Sequence, residues 1–285
     1  LWISNYRDGH NGWSSAAIDY MRALKAGGFD VVARPVKMSP INGEIPADIQ
    51  EMEDKSTEGC NIVVQNVLPH LMRYDGAYKN IGLVFLETDN INSNAWADHL
   101  NLMDEIIVPT QHNRQTLLNS RVTKPIHIVP CPTDVNKYCN SYERLSQLPP
   151  ENFYFYTVGE FTKRKNIPAL LRAFHTEFAP YENVELVIKT TPTGLKNPQE
   201  EINKVLYDIK AGLKIRSRIE DFKQEKVICE YWTEEMMGRL HNSCDCFVST
   251  SHGEGWCRPA IDAMGFGNVI LVGNHTAFKD YAIDG

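Results

Sequence analysis

The sequence predicts an α/β chain of two domains of similar size, each built on a parallel sheet. Three observations carry that expectation. Short apolar runs alternate with helix-periodic segments from end to end. The alternation breaks at a polar stretch with two prolines, residues 144–152, and then starts again. A length of 285 residues suits two domains of ordinary size. Buried strands separated by amphipathic helices are the mark of βαβ units, whose strands run parallel.

In order, the first domain opens on the strand-like LWIS. A helix is expected from about Ser14 to Ala26, where Ala17, Ile18, Met21 and Leu24 share a face. Ser14 can cap it, and Gly27 and Gly28 end it. FDVVARPV, NIVVQNV, NIGLVFLE, EIIVPT and IHIVP follow as strands, with NAWADHLNLM and QHNRQTLLNS as helices among them. The second domain opens on the strand FYFYTVG. A helix then runs from Ile167 to Phe178, and VELVIKT is a strand. A long helix from about Glu201 to Leu213 carries Ile202, Val205, Leu206, Ile209 and Leu213 at helical spacing. VICEYW is a strand, TEEMMGRLHNS a helix capped by Thr233, and DCFVST and NVILVG two more strands. The domains are placed at residues 1–147 and 151–285, with a cleft expected between them.

Composition narrows the function. Net charge is −7, and neither half is basic, with 13 basic and 17 acidic residues in 1–150 and 16 and 19 in the rest. That argues against a nucleic-acid surface. No apolar run approaches the ~20 residues that span a bilayer. Lys210, Lys214 and Arg218 are spaced by four and line one helical face, read as solvated ahead of a peripheral contact with an anionic membrane or acceptor. The seven cysteines form no CxxC pair, and buried free thiols in a reducing, cytoplasmic setting are expected. Cys244 and Cys246 are expected on one face of a strand. The chain starts at Leu1 inside a strand, which reads as a trimmed N-terminus.

Three segments carry the chemistry. In SHGEGWCRPAIDAMGFGN, a strand runs into a glycine-flanked Glu254, Pro259 opens a helix, and Asp262 follows Glu254 by eight residues. A loop at the carboxyl end of a parallel strand is where ligands bind, and two carboxylates beside a helix N-terminus suit sugar hydroxyls together with a phosphate. In VGEFTKRKN, Lys163, Arg164 and Lys165 precede a helix with Pro168 in its first turn, a diphosphate cradle or a solvated basic turn. The first βα loop, NYRDGHNGWSS, carries Gly9, His10, Gly12 and Trp13. It does not fit GxGxxG, which argues against a dinucleotide-dependent dehydrogenase. Glu87-Thr88-Asp89 has the spacing of a metal-binding pair but reads as a strand-end turn. His10, His70 and His99 are candidate bases. His70 ranks first, because it follows Pro69 after a strand.

Together these segments resemble the GT-B glycosyltransferases of family 4, the group 1 retaining enzymes. EGWCRPAID is similar to the Glu-x7-Glu region, and GEFTKRKNIPALLRAF to that family's strand-loop-helix. NIGLVFLETDNINSNAWADHLNLMDEIIVPTQHNRQTLL and PIHIVPCPTDVNKY resemble its N-terminal half. The resemblance implies two Rossmann-like domains, an acceptor-side N-terminal one and a C-terminal one binding a UDP- or GDP-sugar. It implies sugar transfer with retention to a glycan, lipid or protein acceptor, without a required metal or other cofactor. Glu254 would contact the donor sugar, Asp262 the ribose hydroxyls and Lys165 the diphosphate. Gly12 would approach the phosphates, and the amides of Gly255, Trp256 and Cys257 would face the same anion. The sequence departs from the family pattern in three places. Asp262 is a methylene shorter than the family's glutamate. Glu160 stands where an arginine is usual, for which Arg164 would substitute. Cys131-Pro132 replaces the His-Gly that precedes Val-Asp, here Thr133-Asp134. The departures keep open a non-catalytic nucleotide-sugar binder, with a nucleotide-sugar hydrolase or epimerase as a further alternative. Family members continue past a segment like AFKDYAIDG, so the C-terminal domain is expected to be incomplete at Gly285.

Overall fold

A computed structural model of the chain describes residues 1–8, 11–38 and 43–283. Gly9 and His10 lie outside the described residues. The chain divides into two compact units. One holds Leu1–Asp134, Glu254–Trp256 and Lys279–Ile283; the other holds Val135–Gly253 and Cys257–Phe278.

The first unit contains β1 (Trp2–Ser4), α1 (Gly12–Ala26), β2 (Ala33–Pro35), α2 (Ala47–Asp54) and β3 (Ile62–Asn66). It continues with β4 (Lys79–Leu83), α3 (Trp96–Leu100), β5 (Glu105–Val108), α4 (Gln111–Asn119) and β6 (Ile126–Ile128). Its six strands pair in the order β2-β1-β3-β4-β5-β6, all parallel. Trp2, Tyr6, Ala17, Tyr20, Met21 and Leu83 belong to one buried cluster. A second cluster gathers Val84, Leu86, Leu100, Met103, Ile106 and Leu117.

The second unit contains β7 (Phe153–Val158), α5 (Ile167–Glu177), β8 (Val184–Thr190), α6 (Pro198–Leu213), β9 (Lys226–Cys229) and α7 (Glu234–Ser243). β10 (Cys246–Ser249), α8 (Arg258–Gly265) and β11 (Val269–Val272) complete it. Its strands are parallel in the order β11-β10-β7-β8-β9. α5 and α6 cover a core of Ile167, Leu170, Leu171, Phe174, Leu186, Ile188 and Ile209, with Val205, Leu206 and Leu213 packed against it. The segment before β7 is tied to this unit. Arg144 donates to Ser243 O at 2.8 Å, and Leu145 N donates to Ser243 Oγ at 2.8 Å.

Several expected elements differ in detail. α1 starts at Gly12, not Ser14, because Asn11 is its cap and takes Ser14 N at 2.8 Å. Of FDVVARPV, Ala33–Pro35 pair as an edge strand, against β1 alone. The helix expected over NAWADHLNLM ends at Leu100, where the Asn101 side chain turns to Arg121 O and Thr123 N at 3.1 and 2.9 Å. Cys244 is the C-cap of α7, so only Cys246 of that pair is in the strand. None of the seven cysteines, all of them among the described residues, is in a disulfide; Cys131, Cys244, Cys246 and Cys257 are buried and Cys139 is exposed.

The basic face expected from Lys210, Lys214 and Arg218 does not form. Lys210 is 4% exposed and pairs with the equally buried Glu225 at 2.8 Å. Lys214 is already the left-handed C-cap of α6, and Arg218 opens a separate 3-10 turn. His175 also bonds Glu225. Burial pushes the Glu225 carboxyl up, but the bonds from His175 and Lys210 outweigh it and hold the group below the usual carboxylate range.

Candidate functional site

In an open parallel sheet, ligands bind at the carboxyl ends of the strands where strand order reverses. In the second unit that point lies between β7 and β10, because β8 and β9 continue on one side of β7 and β10 and β11 on the other. The loops leaving β7 and β10 there are the segments that hold Arg164, Lys165 and Glu254. They are laced together. Arg164 Nη1 donates to Gly253 O at 2.9 Å, and Arg164 O accepts from His252 N at 2.8 Å and Ser251 Oγ at 3.2 Å. Thr250 Oγ1 donates to Asn166 O at 3.0 Å. The Arg164 guanidinium therefore holds the neighbouring loop. The Lys165 stem lies across Gly159, where a Cβ would meet its Cε at 3.0 Å.

Both loops end in helices of the same design. Asn166 and Cys257, the N-caps of α5 and α8, are left-handed at φ 51° and 64°. Neither makes a side-chain cap bond, and each helix has a proline in its first turn. A non-glycine residue in this region costs about 1–2 kcal/mol. An uncapped helix start presents backbone N–H groups and a positive dipole end, which favour an anion.

Asp262, in the middle of α8, is engaged. Its Oδ1 accepts from Tyr138 Oη at 2.8 Å and meets Lys137 Nζ at 2.7 Å. The Tyr138 ring sits where a Cβ on Gly265 would approach it to 2.5 Å, so a glycine is needed there. Beneath lies a buried network. His241 stacks on Phe266 with ring centroids 5.2 Å apart, and its Nδ1 is 2.7 Å from Tyr156 Oη. Asn268 Nδ2 donates to the same phenol at 2.9 Å. Burial lowers the His241 pKa to about 4, against the pull of Asp262 and with a smaller push from Lys137. No motif or spacing in the sequence marks Lys137, Tyr138 or His241. Tyr138 and Asp262 are 124 residues apart, and no local pattern announces their contact.

In the first unit, strand order reverses between β1 and β3. Gly12 is the exposed first residue of α1, which follows β1. Trp13 Nε1 donates to Asn66 Oδ1 at 2.8 Å, which ties this helix start to the end of β3. Asn66 is buried and donates to Leu83 O at 3.0 Å. His70 follows β3 in a 3-10 turn, Pro69–Leu71, and is exposed. Its Nδ1 accepts from Trp96 Nε1 at 3.2 Å. His99 carries a buried Nδ1 without a bond.

Glu254–Trp256 count with this same unit. Glu254 is 3% exposed. A Cβ on Gly255 would meet Phe85 Cβ at 3.0 Å and Leu86 N at 3.3 Å, an approach that glycine permits. Trp256 packs beside Tyr281, whose hydroxyl donates to Trp256 O at 2.5 Å. In Glu87-Thr88-Asp89, Thr88 Oγ1 donates to Asn90 O at 3.1 Å, closing a turn. Among the described residues no group of three or more His, Cys, Asp or Glu could hold a metal ion, and no helix is long and apolar enough to cross a membrane.

Residues 142–285 match the model of a protein family described as "Glycosyl transferases group 1". No curated protein matches the chain. Among solved structures, a sucrose-phosphate synthase from Thermosynechococcus elongatus is similar with a TM-score of 0.67 and 14% identity, over 98% of this chain and 82% of that one. A trehalose-6-phosphate protein from E. coli, bound with UDP-2-fluoro glucose, gives 0.57 and 10%, over 75% and 58%. An α,α-trehalose-phosphate synthase (UDP-forming) from Burkholderia xenovorans, in complex with glucose-6-phosphate, gives 0.56 and 10%, over 75% and 58%. The chain thus spans less than two thirds of the length of the latter two. At these identities the likeness is one of fold, and the fold is GT-B.

Proposed function

The chain belongs to the group 1 glycosyltransferases, and from that premise we propose that it moves a sugar, with retention, from a nucleotide-sugar donor to an acceptor hydroxyl. One observation supports this reading above the others. The loops at the switch point of the second sheet both lead into uncapped, proline-started helices, with Lys165 beside one of them. Such a pair suits a diphosphate.

Lys165, the start of α8 around Cys257, and the amides of Gly255 and Trp256 would stabilise the departing nucleoside diphosphate. Gly12 would let the α1 start approach it. Charge grows on the leaving oxygen as its bond to the sugar breaks, and fixed cations and dipoles aimed at that oxygen lower the barrier. No metal is required for this. Retention places the acceptor on the face that the diphosphate leaves. The leaving phosphate oxygen is then positioned to take the acceptor's proton. Glu254 would hold the donor sugar hydroxyls and Asp262 the ribose. Arg164, bonded to Gly253 O, would shape the donor loop rather than pair with phosphate directly. The donor side is assigned to residues 151–285 and the acceptor side to residues 1–147, in a cytoplasmic protein. The ligands of the two trehalose-phosphate neighbours, UDP-2-fluoro glucose and glucose-6-phosphate, favour a UDP-sugar donor and suggest a phosphorylated sugar as the first acceptor to try. A second reading, a non-catalytic nucleotide-sugar binder, draws on the engagement of Asp262 by Tyr138 and Lys137.

Titration calorimetry with UDP, GDP and ADP, followed by donor-hydrolysis and transfer assays, tests both. Glu254→Gln is expected to abolish transfer while UDP affinity stays within about threefold, since the sugar contact is absent from UDP. Unchanged turnover in that variant would sink the assignment. Binding without turnover on any acceptor selects the second reading.

A further inference from the structure

An indole N–H donates a hydrogen bond and cannot accept one. Trp96 Nε1 lies 3.2 Å from His70 Nδ1. Nδ1 therefore presents a lone pair, and the hydrogen of the neutral ring sits on Nε2. The two rings are nearly coplanar, 20° apart with centroids at 6.3 Å, and meet edge to edge, so the in-plane N–H bond is what opposes rotation of the imidazole.

The backbone on each side is also held. Leu71 N donates to Leu68 O at 2.8 Å and Met72 N to Pro69 O at 3.1 Å, forming the 3-10 turn. Arg73 Nη1 donates to His70 O at 3.0 Å. Trp96 starts α3, which packs on that turn, and its own N–H donates to Asn94 Oδ1 at 3.0 Å. Among the described residues nothing accepts the Nε2 hydrogen. The ring is exposed and follows β3, one of the two strands that flank the switch point of the first sheet. A general base needs a free lone pair. Here the indole holds the lone pair, and the free edge carries a hydrogen.

We propose that His70 meets the substrate as a neutral Nε2–H hydrogen-bond donor to an oxygen, and that Trp96 is the positioning residue that sets this tautomer. The acceptor oxygen belongs to a sugar hydroxyl or a phosphate, on either the donor or the acceptor molecule. The proposal rests on the transfer reading above.

Its test has two arms. Long-range 1H–15N NMR reads the tautomer directly, with the His70→Gln spectrum identifying the signals. The native protein is expected to show a protonated Nε2 and a lone-pair Nδ1, and Trp96→Phe, which keeps an aromatic ring but removes the N–H, a mixture of tautomers. Turnover is then measured with UDP-glucose, GDP-mannose and ADP-glucose. His70→Ala should lower kcat/KM about 30-fold. His70→Gln, whose amide retains an N–H, should recover to within about fivefold of the native enzyme, and Trp96→Phe should lose about fivefold. A rise in donor KM places the oxygen on the nucleotide sugar, and a rise in acceptor KM places it on the acceptor. A native Nδ1–H tautomer overturns the proposal. So does a His70→Gln variant as slow as His70→Ala, because the reaction then needs a ring lone pair. If the native protein turns over no donor, the transfer reading fails, while the spectrum still decides the tautomer.

Discussion

Acid should weaken the second unit through His241. The ring is buried at 2% exposure, stacked on Phe266 and hydrogen-bonded with Tyr156. Its Nε2 has no partner, so a proton arriving there would be a buried charge without a hydrogen bond. Burial dominates the displacement of its pKa from 6.5 to about 4; Asp262 opposes it and Lys137 adds to it. In the unfolded chain the same histidine titrates near 6.5. As pH falls, the unfolded state therefore takes up the proton first. The stability present above about pH 6.5 is lost progressively as pH falls toward 4. At about 1.4 kcal/mol per pH unit the full loss is about 3 kcal/mol, of which about 2 kcal/mol is gone by pH 5.

The comparison that isolates this effect is urea unfolding of the native protein and His241→Asn at pH 7.5 and pH 5. Asparagine keeps a polar atom near the Tyr156 phenol and does not titrate. Carboxylates lost on acidification are common to both proteins. The native protein should lose about 2 kcal/mol more than the variant between the two pH values. Equal losses would refute the argument, as would an NMR titration in which the His241 ring charges near pH 6.

Two further outcomes follow from the geometry. Tyr138→Phe removes a hydrogen bond to Asp262 and should cost about 1 kcal/mol in thermal stability. If Asp262 holds the ribose, the variant should bind UDP about threefold more tightly by calorimetry, since the phenol no longer competes; weaker binding would contradict that role. Lys210→Met leaves Glu225 buried with His175 alone and should cost about 3 kcal/mol by denaturant unfolding, most of it restored by adding Glu225→Gln. A silent Lys210→Met would show that the pair is not desolvated.

The loops of the candidate site were legible because their signals are local. Lys165 and Glu254 each sit between a strand pattern and a helix start, and Pro168 and Pro259 mark those starts. Thr233 was legible as a cap for the same reason: its hydroxyl meets the N–H of Met236, three residues on. Where reasoning from spacing went astray, a distant partner decided the outcome. Lys210, Lys214 and Arg218 have the spacing of a solvated face. Yet Glu225, arriving ahead of β9, draws Lys210 inward, and the helix has ended before Arg218. Ser14 had the chemistry of a cap, but Asn11 reached the helix start first.

The sequence by itself determined most of the strands and helices, though not α2, their alternation in two sets, and the loops that carry charge and glycine. Those are properties of a few neighbouring residues, set by burial period and turn chemistry. The tertiary structure decided the rest. The order β11-β10-β7-β8-β9 brings the loops of Lys165 and Gly253 side by side, although about 90 residues separate them. It also decided which groups face Asp262, and which nitrogen of His70 carries the hydrogen. Both depend on contacts across the chain, from Tyr138 to Asp262 and from Trp96 to His70. Contacts at such separations form only when whole elements pack, and no repeat or spacing in the chain encodes them.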